Sequence, residues 1–184
     1  MSQLSFVAVD WGTTDFRLWV MDNGGQILNN TQGPFGMSRL KPDDFGRVLE
    51  ESLNKLGVDE EVPVVICGMA GAAQGWYEAP YLTAPTQLET LGHQAVVVPK
   101  TRRCIRILPG VKQMNPANVM RGEETQIAGL LHQSPNFGGT VCLPGTLTKW
   151  VRIADRAITS FETSMTGEQF GFFSKSSVLS HSMT

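Results

Sequence analysis

Two short segments set glycine and threonine at the tips of what read as β-hairpins: Asp10-Trp11-Gly12-Thr13-Thr14 and Pro144-Gly145-Thr146-Leu147-Thr148. A tight turn with glycine lets backbone N–H groups come close to a phosphate, and threonine hydroxyls add neutral donors. Two such turns facing across a cleft would hold one polyphosphate from both sides. Asp10 closes the first apolar run, where its carboxylate suits Mg2+, a cation that favours carboxylate oxygens and keeps several waters. A third segment, Val119-Met120-Arg121-Gly122-Glu123-Glu124-Thr125-Gln126, puts two carboxylates at a loop-to-helix junction. Phosphoryl transfer to a hydroxyl needs a carboxylate near that hydroxyl to take its proton. Glu123 and Glu124 both have the right chemistry, and Arg121 suits an anionic substrate group or the moving phosphate. Plainer readings stand beside these. Glycine occurs in ordinary hairpin turns, and acidic residues commonly charge a helix N-terminus. The pairing of two matched hairpins favours the phosphate reading. The two carboxylates stay open between catalysis and helix charging.

The elements that must carry these residues are legible in outline. Leu4–Val9 is a short apolar run, then Phe16, Leu18 and Val20 alternate with polar or aromatic neighbours, and Asp22–Gly25 precedes Gln26–Leu28. That pattern predicts an antiparallel meander. Gly33–Met37 reads as a loop. Pro42 opens a helix whose apolar face is Phe45, Val48, Leu49, Leu53 and Leu56, and Gly57 ends it. Val62–Cys67 suits a strand buried on both faces. Gly68–Pro85 is too long for a mere connector. Gln87–His93 is expected as a short helix, Ala95–Val98 and Ile105–Leu108 as strands, and Pro109–Val119 as loop. Glu123–Gln133 is expected as a helix with Ile127, Leu130 and Leu131 inward. From Thr140 the opening pattern returns: an apolar run, a Gly-Thr turn, a strand bearing Trp150 and an inner Arg152 as the first bears Trp19 and Arg17, then a third strand. Thr166-Gly167-Glu168-Gln169 resembles a capping box for a last helix. The residues after Lys175 are Ser-rich and expected to fray, with Val178, Leu179 and Met183 as apolar points that an intact protein would cover.

Composition narrows the function classes. The chain has 184 residues, 41% hydrophobic and 17% charged, with net charge −2. This is globular composition, enough for one ordinary domain or two small ones. With 15 Lys+Arg against 17 Asp+Glu, there is no basic excess to neutralise phosphates, which argues against a nucleic-acid partner. No apolar run reaches the ~20 residues of a membrane span. Cys67, Cys104 and Cys142 form no C-x-x-C pair and read as reduced thiols, which predicts a cytoplasmic protein. His93, His132 and His181 lack metal-ligand spacing. Lys100, Arg102, Arg103 and Arg106 read as a solvated basic loop.

Taken together, VDWGTT (Val9–Thr14), CGMAGAAQGWYEAP (Cys67–Pro80), ILPGV (Ile107–Val111), VMRGEETQ (Val119–Gln126), CLPGTLTKWV (Cys142–Val151) and FETSMTGE (Phe161–Glu168) resemble the sugar-kinase/actin/heat-shock-ATPase superfamily. More narrowly, they resemble the 2-dehydro-3-deoxygalactonokinase family. VMRGEETQ and LPGT-x-x-KW together are specific, whereas Gly-Thr alone is not. The resemblance implies an α/β, actin-like ATPase (ribonuclease H-like) fold. On that basis 1–120 is the N-terminal lobe and 121–184 the beginning of a second lobe. It implies phosphorylation of 2-dehydro-3-deoxy-D-galactonate at its 6-hydroxyl, with ATP and Mg2+. Asp10 would be the metal anchor, and Gly12, Thr13, Thr14, Gly145, Thr146 and Thr148 the phosphate contacts. Glu123, favoured over Glu124, would be the base, with Arg121 beside it. Gln74, Trp76, Glu78 and Glu124 would meet the sugar acid, although Trp76 and Tyr81 fit plain packing as well. Family members are longer and supply an adenosine-binding Gly-rich segment later in their chains, so the resemblance implies an incomplete form. Two rivals follow from that length: a non-catalytic nucleotide or sugar-acid binding lobe, and a structural lobe that pairs with another chain. Oligomeric state is left open, a homo-oligomer included.

Overall fold

A computed structural model of the chain describes residues 4–182. They divide into two compact units, 4–82 with 89–111, and 83–88 with 112–182. Thirteen strands and three helices follow in order: β1 (Leu4–Trp11), β2 (Phe16–Asp22), β3 (Ile27–Gly33), α1 (Asp44–Lys55), β4 (Val64–Gly68), β5 (Tyr81–Thr83), β6 (Thr86–Gln87), β7 (Val96–Val97), β8 (Ile105–Ile107), β9 (Gly110–Met114), β10 (Ala117–Met120), α2 (Glu123–Gln133), β11 (Gly139–Leu143), β12 (Thr148–Ala154), β13 (Ala157–Ser164) and α3 (Thr166–Ser176).

The first unit is built on a six-stranded sheet of order β3-β2-β1-β4-β8-β7. The expected meander is its first half: β1 and β2 pair antiparallel, as do β2 and β3. β4 then runs parallel to β1, and β8 parallel to β4. A parallel return needs a crossover, and α1 supplies it. Phe45, Val48, Leu49 and Leu53 on its inner face are buried with Val7, Val9, Leu18, Val64 and Ile66 of the sheet. The helix stops as its sequence predicts. Gly57 takes φ +67°, its N–H meets Asn54 O, and the Val58 N–H reaches back to Leu53 O. That paired arrangement closes the last turn and fits only a left-handed residue without a Cβ penalty. β4 is central in the sheet. Its Val64, Ile66 and Gly68 are buried, while Val65 and Cys67 on the other face are only half-buried.

The second unit carries a four-stranded sheet of order β11-β12-β13-β6, antiparallel throughout. Val151, Ile153, Ile158 and Phe161 of the sheet are buried, as are Met120, Ile127 and Leu131. A further three-stranded sheet has the order β10-β9-β5. No helix among the described residues is long and apolar enough to cross a membrane.

Several expectations need correction. Pro109–Val119, expected as loop, forms the hairpin of β9 and β10. Its strands alternate poorly in polarity, so period alone could not reveal them. Gln87–His93 is a 3-10 segment, Leu88–Gln94, after the short β6. Leu130 is only half-buried, and the inward residues of α2 are Glu124, Ile127 and Leu131. The capping box is absent: Met165 is the N-cap of α3, with no side-chain capping bond. After Lys175 the chain forms a 3-10 segment, Val178–Ser182, where fraying was expected. Met183 lies outside the described residues. Trp150 is 44% exposed, and Arg17 and Arg152 are exposed where inner positions were expected. The basic cluster also divides. Arg103 is buried, and its guanidinium donates to the carbonyls of Val58, Asp59 and Val62 and pairs with Glu50.

Candidate active site

In the first unit, β1 delivers Asp10 and the turn Gly12–Thr14 follows directly. This turn is fastened from one side. Met37 N–H donates to Gly12 O, Ser38 N–H to Thr13 O, and Gly36 N–H to Thr14 O, at 2.9–3.0 Å. A Cβ on Gly36 would fall 2.2 Å from Thr14 C, so only glycine permits this approach. The Trp11 indole adds a bond to Phe35 O at 2.7 Å, and its ring is buried against Phe16 and Phe45 at 4.7 Å each. With their carbonyls occupied, Thr13 and Thr14 stay exposed, and their N–H groups make no hydrogen bond among the described residues. A turn held by its carbonyls and open at its N–H edge is suited to anions.

Asp10 stands opposite Arg17 in the β1–β2 register and Cys67 in the β1–β4 register. Its carboxylate takes a hydrogen bond from Arg17 Nη2 at 2.5 Å, and the Asp10 side chain is 19% exposed. Gly68 lies beside it at φ +90°. A Cβ there would be 2.5 Å from Trp11 O and 3.3 Å from Asp10 Oδ1. The missing side chain therefore keeps space beside the carboxylate, which fits an oxygen-seeking cation held partly by water. No second carboxylate or histidine joins it in a group of three among the described residues.

The loop after β4 is compact. Trp76 and Tyr77 N–H both donate to Ala70 O, and Ala79 N–H donates to Gly71 O. Gln74 and Glu78 are exposed on this loop. Trp76 packs on the core instead, stacked on Phe45 at 6.3 Å and edge-on to Trp11 at 6.4 Å. Of its two readings, packing is the one this geometry displays.

In the second unit, Gly122 (φ +111°) turns the chain from β10 into α2. Glu123 is half-buried, and its Oε2 accepts the Arg121 N–H at 2.9 Å. Glu124 is fully buried. Both its oxygens accept the Gly122 N–H, at 2.8 and 2.9 Å, and the Thr125 hydroxyl approaches Oε1 at 3.4 Å. Burial pushes its carboxyl up to about 7, with repulsion from Glu123 adding to the rise and the backbone bonds opposing it. Its place follows from spacing: residues 124, 127 and 131 share one helical face. A carboxylate turned inward in this way organises the junction and presents no surface to a substrate.

The second hairpin shows its turn at Gly145 and Thr146, both exposed. The start of α3 closes on it, with Glu168 N–H donating to Thr146 O at 3.1 Å. A Cβ on Gly167 would lie 2.3 Å from Gly145 O, so this contact too requires glycine. The N–H groups of Gly145 and Thr146 make no hydrogen bond among the described residues. Thr148 differs from its neighbours. It is buried, and its hydroxyl pairs with that of Thr166 at 2.5 Å.

One functional-looking residue was missed. Lys149 is 4% exposed and its ammonium donates to Val119 O at 2.7 Å and to Thr163 Oγ1 at 2.8 Å. The signal was present. Lys149, Val151 and Ile153 occupy alternate positions of β12, so they share its buried face.

The α/β architecture is that of the actin-like ATPase fold. Among solved structures the chain superimposes on a Sinorhizobium meliloti protein assigned as a 2-dehydro-3-deoxygalactonokinase, with TM-score 0.89 and 41% identity over 96% of this chain and 58% of that one. The ethanolamine utilization protein EutJ of Carboxydothermus hydrogenoformans shares the fold at TM-score 0.57 and 16% identity. The chain matches the family model for 2-keto-3-deoxy-galactonokinase over residues 10–184 and belongs to that family. A Rhizobium meliloti relative named probable 2-dehydro-3-deoxygalactonokinase DgoK1 is 41% identical over 97% of this chain, and the Escherichia coli 2-dehydro-3-deoxygalactonokinase is 38% identical over 89%. The chain spans only 59% and 54% of those two relatives' lengths.

Proposed function

We infer that the protein phosphorylates 2-dehydro-3-deoxy-D-galactonate at its 6-hydroxyl, using ATP with Mg2+. The observation that carries this reading is the turn at Gly12–Thr14. Its carbonyls are held by Gly36, Met37 and Ser38 while the Thr13 and Thr14 N–H groups stay open, in a chain of the 2-keto-3-deoxy-galactonokinase family. In this reading Gly12, Thr13 and Thr14 bind the ATP phosphates, and Gly145 and Thr146 form a second phosphate contact. Thr148 supports that second turn through Thr166. Asp10 anchors Mg2+, which when bound neutralises charge on the phosphate oxygens.

Glu123 takes the proton of the attacking hydroxyl. Its half-exposure and its place at a helix start support that role over Glu124, which is buried and bound to Gly122 N–H. Arg121 faces negative charge on the substrate. Gln74 and Glu78, exposed on the loop after β4, meet the sugar acid. The first unit then corresponds to the N-terminal actin-like lobe, and the second unit contains the beginning of the other.

The test joins this chain to the region of the Sinorhizobium meliloti relative that lies beyond the match. ADP release is followed with ATP, Mg2+ and 2-dehydro-3-deoxygalactonate. The expected result is substrate-dependent turnover, with Glu123→Gln lowering kcat by about 100-fold or more, the usual scale of general-base loss. A folded chimaera without turnover would overturn the kinase reading and favour a non-catalytic lobe. Full activity in Glu123→Gln would remove Glu123 as base.

A further inference from the structure

We propose that Thr166 and Gly167 are positioning residues for the second turn, a clamp that holds Gly145 and Thr146 with their N–H groups free for a phosphate. This rests on the reading of that turn as a phosphate contact. The clamp repeats one present in the first unit. There the turn Gly12–Thr14 leads through β2 and β3 to Gly36, where a Cβ would stand 2.2 Å from Thr14 C. In the second unit the turn at Gly145 leads through β12 and β13 to Gly167. A Cβ there would stand 2.3 Å from Gly145 O and 3.0 Å from Thr146 Cα. Both obstacles are backbone, which cannot rotate aside as a side chain would. Neither glycine serves its own conformation. Gly36 has φ −66°, open to any residue, and Gly167 sits in α3 without a positive φ. Glycine is required at both places by the closeness of approach.

The hydrogen bonds follow the same plan. The first N–H groups of a helical segment have no partner within it. In the first unit those of Met37 and Ser38, opening the 3-10 turn Met37–Arg39, go to Gly12 O and Thr13 O. In the second, the Glu168 N–H, in the first turn of α3, goes to Thr146 O at 3.1 Å. A turn whose carbonyls are drawn to a helix start keeps its own N–H groups for a ligand. The second clamp has fewer backbone bonds, and a side chain adds to them. The Thr166 hydroxyl pairs with that of Thr148 at 2.5 Å. Thr148 is buried where β12 begins, so this pair fastens α3 to the strand that leaves the turn. Thr166 and Gly167 are themselves exposed, and no described residue of α3 is buried. Substitution here therefore loosens the turn without opening the core.

In the chain itself, amide 15N NMR follows Gly145 and Thr146, with the Gly12–Thr14 amides of the other unit as a control. Thr166→Val and Gly167→Ala should shift and broaden the Gly145 and Thr146 signals and leave the control unmoved. Thr166→Ser, which keeps the hydroxyl, should restore them. Inorganic tripolyphosphate should shift both amides in the wild type, and its Kd should rise about 3–10-fold in Thr166→Val, the scale of one hydrogen bond. In the chimaera, Thr166→Val and Gly167→Ala should raise KM for ATP and leave KM for the sugar acid unchanged, a split that general loss of folding would not produce. Unmoved Gly145 and Thr146 signals in Gly167→Ala, or an unmoved KM for ATP, would overturn the proposal. If the variants disturb the turn but tripolyphosphate leaves the wild-type amides unmoved, the phosphate reading of the turn fails and the clamp stands.

Discussion

Glu124 is a carboxylate placed where an aliphatic residue would be ordinary, and its folded-state protonation should be measurable. Its carboxyl rises from the ordinary value near 4.5 to about 7. The native state therefore binds more protons than the unfolded chain between those pH values. Stability must then fall as pH rises through that window and level off above it, by on the order of 3 kcal/mol in total. Urea unfolding from pH 4 to 8 should show this fall in the wild type, and Glu124→Gln should remove that component. Equal pH slopes in the two proteins would mean that burial does not perturb this carboxyl. Sequence reading paired Glu123 and Glu124 as candidates for one task. Helical spacing could have separated them, since position 124 falls on the stripe of Ile127 and Leu131. Lys149 carries the same lesson in a strand, where alternation with Val151 and Ile153 places it inside.

At the scale of elements, the first turn depends on neighbours distant in sequence. Gly68 closes β4 at φ +90° against Trp11 O. Gly68→Ala should cost about 1–3 kcal/mol, the scale of a residue forced into a sparsely allowed region, and should weaken the proposed binding of Mg2+ at Asp10 in the chimaera. Calorimetry with Mg2+–ATP would check both, and an unchanged affinity would separate Gly68 from the metal site. Arg103 plays a different part, joining α1 through Glu50 to the segment between α1 and β4 through three carbonyls. Arg103→Met would remove the donor to these three carbonyls, of which Val58 O is buried and Asp59 O keeps the Val62 N–H, and should cost about 1–3 kcal/mol. Denaturant titration measures this, and a loss under 1 kcal/mol would reduce Arg103 to a surface residue in energetic terms. Sequence placed Arg103 in a solvated basic loop because its partners are backbone carbonyls, which leave no trace in residue type.

For the whole molecule, the informative surface is the last part of the chain. Phe170, Phe172 and Phe173 of α3 are 62%, 58% and 41% exposed, and Val178 and Leu179 follow at 87% and 50%. So many large apolar side chains on one segment exceed ordinary surface scatter. The relatives are longer, with this chain spanning 59% and 54% of two of them. As a separate 184-residue molecule, the chain should self-associate with rising concentration. Phe170→Ser combined with Phe172→Ser should shift it towards monomer in sedimentation velocity. A wild type that remains monomeric at high micromolar concentration would show that this segment is not adhesive.

By itself the sequence determined the local matters. The meander, α1 with its glycine stop, the two Gly-Thr turns and the Gly-Glu-Glu junction all follow from short-range spacing and turn chemistry, and the combined motifs carried the family. Short-range rules suffice there because each feature is settled within a few residues. Tertiary structure alone decided which side chains face inward at the junction and how the turns are held. Gly36 and Gly68 come against the first turn from elsewhere in the chain, and Lys149 reaches Val119 from another strand. These contacts depend on which strands become neighbours, and that is settled by burial of the whole core, a sum over many residues that no single motif records.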